Sequence, residues 1–400
     1  MDINVHNKKV LVRVDFNVPL NGDGQITDDT RMQKALPTLT HLLDAGASLI
    51  LMSHLGRPQK KLKEDGSINV DKFSLRLIVK HLANLLGRPV KFASSCVGPE
   101  ATSMSQSLQS GEVLLLENTR FHKGESKGDE DFARELAGLA DIYINDAFGT
   151  AHRAHASTTI VANHFDKNSK SFGLLMESEI LHANKALHDP ARPLVAITGG
   201  AKVSDKIMLL DKLIDFADKV IIGGGMAYTF AKAKGGNIGD SICEPDKLDL
   251  ALEILDKAMK NNTEILLPID NVIADEFAAE AQTDIVPTHE IPDGWQGLDI
   301  GPESIQLFSK AIEGAKTIIW NGPMGVFEFT NFAHGTNAIA LAVAKATKEG
   351  AFSLIGGGDS VSAIKKNGLD DQVSFVSTGG GAMLEFLEGK VLPGIAAIEE

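Results

Sequence analysis

Cysteine is nearly missing from this 400-residue chain: Cys96 and Cys243 stand far apart and in no C-x-x-C pattern. That argues against a disulfide framework and a cysteine-based zinc site, and it fits a reducing compartment. No run reaches the ~18 apolar residues of a membrane span, and the opening MDINVHNKKV carries no apolar signal segment. The expectation is a cytoplasmic protein with no membrane partner. Positive charge is also short. Lys plus Arg number 39 against 53 Asp plus Glu, a net −14, which argues against nucleic acid as a bulk partner. Any anionic ligand must be held by a local basic cluster. Neither G-x-x-x-x-G-K-[ST] nor a G-x-G-x-x-G after a strand occurs, so a P-loop and the dinucleotide fingerprint are both absent.

What is present is alternation. Short Val/Ile/Leu-rich runs recur, each followed by a helix-like stretch. They begin with KKVLVRVDFNVP (8–19), ASLILMSHLGRP (47–58), PVKFAS (89–94), GEVLLLENTRF (111–121) and ADIYINDAF (140–148). They continue with PLVAITGG (193–200), KVIIGGG (219–225), TEILLPID (263–270), KTIIWNGP (316–323), FSLIGGGD (352–359) and VSFVSTGGG (373–381). Continuous apolar runs read as strands buried on both faces. Helices are expected between them, for example over 71–87 and 204–217. Such alternation implies βαβ units and mostly parallel sheets, and 400 residues favour two domains. One long helix is expected over 172–189, stopped by Pro190 and Pro193. Before it the runs end in charged or polar residues; after it they end in glycines. A domain boundary belongs there.

Open α/β sheets bind ligands beyond the carboxyl ends of their strands. In the second half GGAKVSDK, GGGDSVSAIKK and STGGGAMLEFLEG each place glycines before a helix. That arrangement suits phosphate, because backbone N–H groups and the helix dipole both favour negative charge. Lys202 and Lys206 are expected one turn apart on one helix face. Asp359 is acidic inside such a turn; an N-cap role and Mg²⁺ bridging to phosphates are both open to it, and the second is the better reading. Glu328 is either a ribose ligand or a solvated loop charge.

The first half offers Arg31, His54, Arg57, Arg120 and the segment NDAFGTAHRAHAST (145–158), with His152, Arg153 and His155. Four arginines at sheet-edge positions point to one anionic ligand held by bidentate bonds. No Cys, acidic cluster or H-E-x-x-H accompanies the histidines, so an anion cradle led by Arg153 is the better reading than a metal site. For His155, a role in merely fixing the loop stays open.

Taken in order, RVDFNVP (13–19), SHLGRP (53–58), LLENTRFH (115–122), DAFGTAHRAHAS (146–157), GGAKVSDK (199–206), GGGMAYTF (223–230), WNGPMGVFE (320–328), GGGDS (356–360) and STGGGAMLEFLEGK (377–390) resemble the phosphoglycerate kinase family over nearly the whole chain. The resemblance implies an α/β fold of two doubly wound, Rossmann-like parallel-sheet domains facing each other across a cleft. Residues 1–171 would bind 3-phosphoglycerate, with the tail 391–400 packing back on them; 172–189 would be the hinge helix and 190–390 the nucleotide domain. It implies reversible, Mg²⁺-dependent phosphoryl transfer between 1,3-bisphosphoglycerate and ADP, giving 3-phosphoglycerate and ATP, by a monomer. Asp15, Asn17, Arg31, His54, Arg57, Arg120 and Arg153 would hold the phosphoglycerate. Lys202, Lys206, Gly224, Gly297, Asn321, Glu328, Gly357, Gly358, Asp359 and Ser360 would hold the nucleotide, with Asp359 towards the metal. Arg31, Lys202 and Lys206 would be catalytic. Two positions depart from the family pattern: Ser360 replaces threonine, and Met383 replaces serine.

The implied reaction needs no general base, because an attacking carboxylate is already ionised at pH 7. Positioning and charge neutralisation suffice, provided the two ligand sets meet and water leaves. A nicotinamide-dependent dehydrogenase and a non-catalytic anion or nucleotide sensor are the rival readings. The missing G-x-G-x-x-G counts against the first, and the combination of Lys202, Lys206 and Asp359 against the second.

Overall fold

The computed structural model describes residues 3–400. They divide into two compact units: residues up to 181 together with Val391–Glu400, and His182–Lys390. The division falls inside the helix Leu174–Leu187.

The first unit is built on strands β1 (Lys9–Val14), β2 (Ser48–Met52), β3 (Val90–Phe92), β4 (Val113–Leu115), β5 (Ile142–Asp146) and β6 (Lys170–Phe172). Their order is β3-β4-β2-β1-β5-β6, and every pairing is parallel. The apolar runs are continuous because each strand feeds two cores. Val10, Val12 and Val14 join Leu49, Leu51, Val113 and Leu115 on one face. Leu11 joins Ile50, Met52, Leu114 and Tyr143 on the other. Ala397 and Ile398 of the C-terminal helix Pro393–Glu399 enter that second core. Asn145 Nδ2 donates to the Gly394 carbonyl at 3.1 Å and fixes the same helix.

The second unit contains β7 (Leu194–Thr198), β8 (Lys219–Ile222), β9 (Asn237–Ile238), β10 (Glu264–Leu266), β11 (Asp270–Ala274), β12 (Thr283–Pro287), β13 (Glu290–Ile291), β14 (Gln296–Ile300), β15 (Thr317–Asn321), β16 (Phe352–Gly356) and β17 (Phe375–Val376). Six of them form a parallel sheet in the order β10-β8-β7-β15-β16-β17. In both sheets the strand order reverses beside a central strand, β1 and β7, and all carboxyl ends lie along one edge. A three-stranded antiparallel sheet, β12-β11-β14, and the short pair β13-β9 are additions that the α/β pattern did not announce.

Two expected helices differ. The stretch 71–87 is broken into Val70–Phe73, a 3-10 turn Leu75–Ile78 and Val79–Leu86. The cause is Glu117, which leaves the end of β4 and accepts from Ser74 Oγ (2.6 Å) and Leu75 N (2.8 Å). Ser74 is thereby held extended. The stretch 204–217 is helical only over Ile207–Phe216. Ser204 gives its N–H and hydroxyl to Glu244, at 3.0 and 2.5 Å, so residues 201–206 form a turn. Lys202 and Lys206 therefore precede the helix instead of sharing one of its faces.

Candidate functional site

On the first unit the anchor is a residue hidden in an apolar run. Arg13 is fully buried in β1. Its guanidinium donates to Ser157 Oγ at 2.8 Å, to the Val14 carbonyl, and from Nη2 to His54 Nδ1 at 3.1 Å. Ser157 passes the charge on: its Oγ donates to Glu125 Oε1 at 2.6 Å and its N–H to Oε2 at 3.0 Å. An arginine cannot accept, so His54 Nδ1 must carry the lone pair and Nε2 the proton. Burial first, then the charges of Arg13, Arg120 and Arg31, hold His54 well below the usual imidazole range. His54 is thus a neutral donor at a positively charged edge.

Around it stand the other residues expected there. Asp15, just past β1, accepts from Arg31 Nη1 at 2.6 Å and from Asn17 N at 3.2 Å. Asn17 Oδ1 accepts from Gly56 N at 2.8 Å, and Arg120 Nη1 donates to the Gly56 carbonyl at 2.8 Å. Burial and the neighbouring Arg13 lower Arg120 to about 10, while Glu125 partly opposes them. Arg57 and Arg153 are exposed, and neither guanidinium has a hydrogen-bond partner among the described residues. His155 is buried with Nδ1 3.9 Å from Glu125 Oε1, and burial lowers it to about 4. Five arginines thus converge on an edge with two carboxylates close by, Asp15 and Glu125. An anion completes such an arrangement. Arg13 and Glu125 escaped the sequence reading, although the charge in KVLVRVDF was visible; its burial was not.

On the second unit a cavity of about 680 Å³ opens beside the carboxyl ends of β7, β8 and β15. Four expected residues line it: Gly224, Gly297, Glu328 and Asp359. Its apolar walls come from Tyr228, Ile242, Phe277, Leu298, Val326 and Phe329. Leu298 belongs to the antiparallel sheet, which is why sequence patterning missed it. Gly224 has φ +69, and a Cβ there would lie 2.7 Å from Gly200 N, so this glycine packs two turns backbone to backbone.

Lys206, Asn321, Gly357, Gly358 and Ser360 form an adjoining cluster. Lys206 Nζ donates to Asn321 Oδ1. Burial lowers the Lys206 pKa, against the pull of Asp359 and Glu388. Gly357, at φ +83, lies against the Asn321 amide, whose Nδ2 is buried without a hydrogen-bond partner among the described residues. Ser360 Oγ accepts from Gly322 N at 2.5 Å and is fully buried, so its hydroxyl oxygen ties two turns together. Lys202 is exposed at the turn's start. Met383 is fully buried, with Cγ 3.3 Å from the position of a Cβ on Gly356. Asp359 and Glu328 are the carboxylates that line the cavity, and no group of three His, Cys, Asp or Glu suited to an ion exists among the described residues. That donor set fits a magnesium ion that takes most of its oxygens from a nucleotide, and it does not fit an all-protein cage.

The family model described as phosphoglycerate kinase matches residues 1–390. A phosphoglycerate kinase of Synechococcus sp. (strain JA-2-3B'a(2-13)) is 53% identical over 395 residues, covering 98% of this chain and 95% of the relative. One of Moorella thermoacetica (strain ATCC 39073 / JCM 9320) is 52% identical over 401 residues, covering 100% and 98%. The solved phosphoglycerate kinase structure from Coxiella burnetii is similar with a TM-score of 0.87 at 41% identity, covering 100% of this chain and 97% of that one. That from Pyrococcus horikoshii OT3 gives 0.83 at 31% identity, with the same coverage.

Proposed function

The chain belongs to the phosphoglycerate kinase family, and from that premise we propose which of its residues carry the reaction and how. The activity is phosphoryl transfer between 1,3-bisphosphoglycerate and ADP, giving 3-phosphoglycerate and ATP in glycolysis. The phosphoglycerate binds the first unit through Asp15, Asn17, Arg31, His54, Arg57, Arg120 and Arg153. The observation that carries this assignment is the convergence of arginines around a neutral His54 with too few carboxylates to balance them. Arg57 and Arg153, whose guanidinium groups have no hydrogen-bond partner among the described residues, supply bidentate contacts.

ADP occupies the cavity of the second unit, its base between the apolar walls and its ribose beside Glu328. Gly224, Gly297, Gly357, Gly358, Asn321 and Ser360 shape the path of the phosphates. Lys206 neutralises them from its position on Asn321. Asp359 would hold a magnesium ion together with the nucleotide, and the ion would supply charge neutralisation there. Lys202 and Arg31 carry the negative charge of the migrating group. No side chain needs to remove a proton, because both possible nucleophiles, a carboxylate and a phosphate oxygen, are ionised at neutral pH.

The two ligand sets lie on different units, so the units close on each other during turnover, with Leu174–Leu187 as the connecting element and Val391–Glu400 returning to the first unit. Solution scattering tests this. The radius of gyration should fall with both ligands bound and fall less with either alone; no change in the ternary complex would contradict closure. A cytoplasmic monomer without membrane or nucleic-acid partners is the accompanying reading. It is supported by the net charge of −14, and no helix among the described residues is long and apolar enough to cross a membrane.

A further inference from the structure

Asp299 is 1% exposed at the end of β14, and no lysine or arginine pairs with it among the described residues. Its Oδ2 accepts from Gly335 N at 2.7 Å, at the start of the helix His334–Lys348, and its Oδ1 from Ile300 N at 2.9 Å. The carboxylate is wedged between two glycines. A Cβ on Gly325 or on Gly335 would lie 2.3 Å from Oδ1. Gly325 belongs to the turn 322–328, which forms one wall of the nucleotide cavity through Pro323, Met324, Gly325, Val326 and Glu328. The same turn is tied at Val326 N to the Leu298 carbonyl (2.8 Å) and at Met324 N to Thr336 Oγ1 (3.0 Å). Thr336 lies on the helix that Asp299 caps. One buried carboxylate therefore sets the spacing of a strand, a helix and the turn between them. Burial pushes that carboxyl up to about 7, and the bonds from Gly335 N and Ile300 N oppose the shift.

We infer that Asp299 is a positioning residue for the nucleotide: it fixes the 322–328 wall at the separation that admits ADP, without touching the ligand. This rests on the assignment of the cavity to the nucleotide. An asparagine keeps the shape but presents an NH₂ to one of the two backbone donors, so one bond is lost and the turn relaxes.

The test compares Asp299→Asn with Asp270→Asn and Thr336→Val, with the full-length enzyme and both substrates. Asp270 is the internal control. It too is a buried strand aspartate capping a helix, accepting from Glu303 N (3.0 Å) and Ser304 N (2.7 Å), but it does not line the cavity wall. Asp299→Asn and Thr336→Val should raise the ADP KM about tenfold, leaving the 3-phosphoglycerate KM and kcat within about twofold. Asp270→Asn should lower the melting temperature and leave the ADP KM alone. If Asp299→Asn and Asp270→Asn lower stability alike and neither moves the ADP KM, Asp299 is only a helix cap and the inference fails. Should Asp299→Asn not fold, Thr336→Val with an unchanged ADP KM overturns it. Val326→Trp, which fills the cavity, tests the underlying assignment separately: an unchanged ADP Kd there removes the cavity reading itself.

Discussion

Arg13 and His54 lie at the carboxyl ends of adjacent parallel strands, both buried, with Arg13 Nη2 donating across 3.1 Å to His54 Nδ1. The bond fixes the imidazole as the Nε2–H tautomer, and burial first, then the Arg13 charge, keeps it neutral. In Arg13→Met that constraint disappears and one positive charge leaves the cluster. Nitrogen NMR should then show the His54 pKa rising towards its ordinary value, together with roughly tenfold weaker 3-phosphoglycerate binding. A wild-type His54 that already titrates near ~6.5 contradicts the tautomer argument.

Asp146 gives a pH prediction of stated sign. It is buried at the end of β5 and accepts from Leu175 N and Met176 N, at 3.0 and 3.2 Å. Burial raises its carboxyl from 3.8 to about 6, although those bonds oppose the shift. The folded state therefore binds more protons than the unfolded state between those two values. Its contribution is fully present below the unfolded pKa and is lost as pH rises through the folded one. Denaturation of wild type and Asp146→Asn across this window should show the wild type losing stability relative to the variant as pH rises. The loss should be on the order of a few kcal/mol and should level off above the window. A difference independent of pH contradicts the raised value.

Lys206 and Arg120 belong to different units, so their effects on binding should separate. Lys206→Met should weaken ADP binding and lower kcat about a hundredfold or more, with 3-phosphoglycerate affinity unchanged in calorimetry. Arg120→Met should do the reverse for the two affinities. Loss of both affinities in either variant contradicts the assignment of one ligand to each unit.

Met383, which stands where the family resemblance implies a serine, is fully buried in this protein. Met383→Ser should cost about 2–5 kcal/mol of stability through the cavity and the buried hydroxyl, with no gain in ADP affinity. Tighter ADP binding with unchanged stability would falsify that reading.

The parallel sheets were legible because runs such as KVLVRV and SLILM feed cores on both faces, which leaves them continuously apolar. The strand-end residues were legible because such sheets bind ligands at one edge. What was hidden depended on contacts between distant segments. Glu117 breaks the helix expected over 71–87 from 43 residues away, and Glu244 unwinds the lysine turn from 40 residues away. No local periodicity records either event. The apolar cavity walls were hidden for the same reason: Phe277 and Leu298 come from an irregular connection and an antiparallel strand, neither of which ends in a telling motif. Arg13 was visible as a charge, but only the Ser157–Glu125 relay explains why it can be buried.

The most direct measurement is ATP consumption with 3-phosphoglycerate and Mg²⁺, coupled to reduction of the acyl phosphate, for wild type and Arg31→Ala. In the proposed reaction Arg31, on the first unit, carries charge of the migrating group while ATP is held by the second. The expected result is turnover in the wild type and its near loss in Arg31→Ala, with ATP affinity preserved. Wild-type turnover retained by a folded Arg31→Ala would contradict transfer assisted from the first unit.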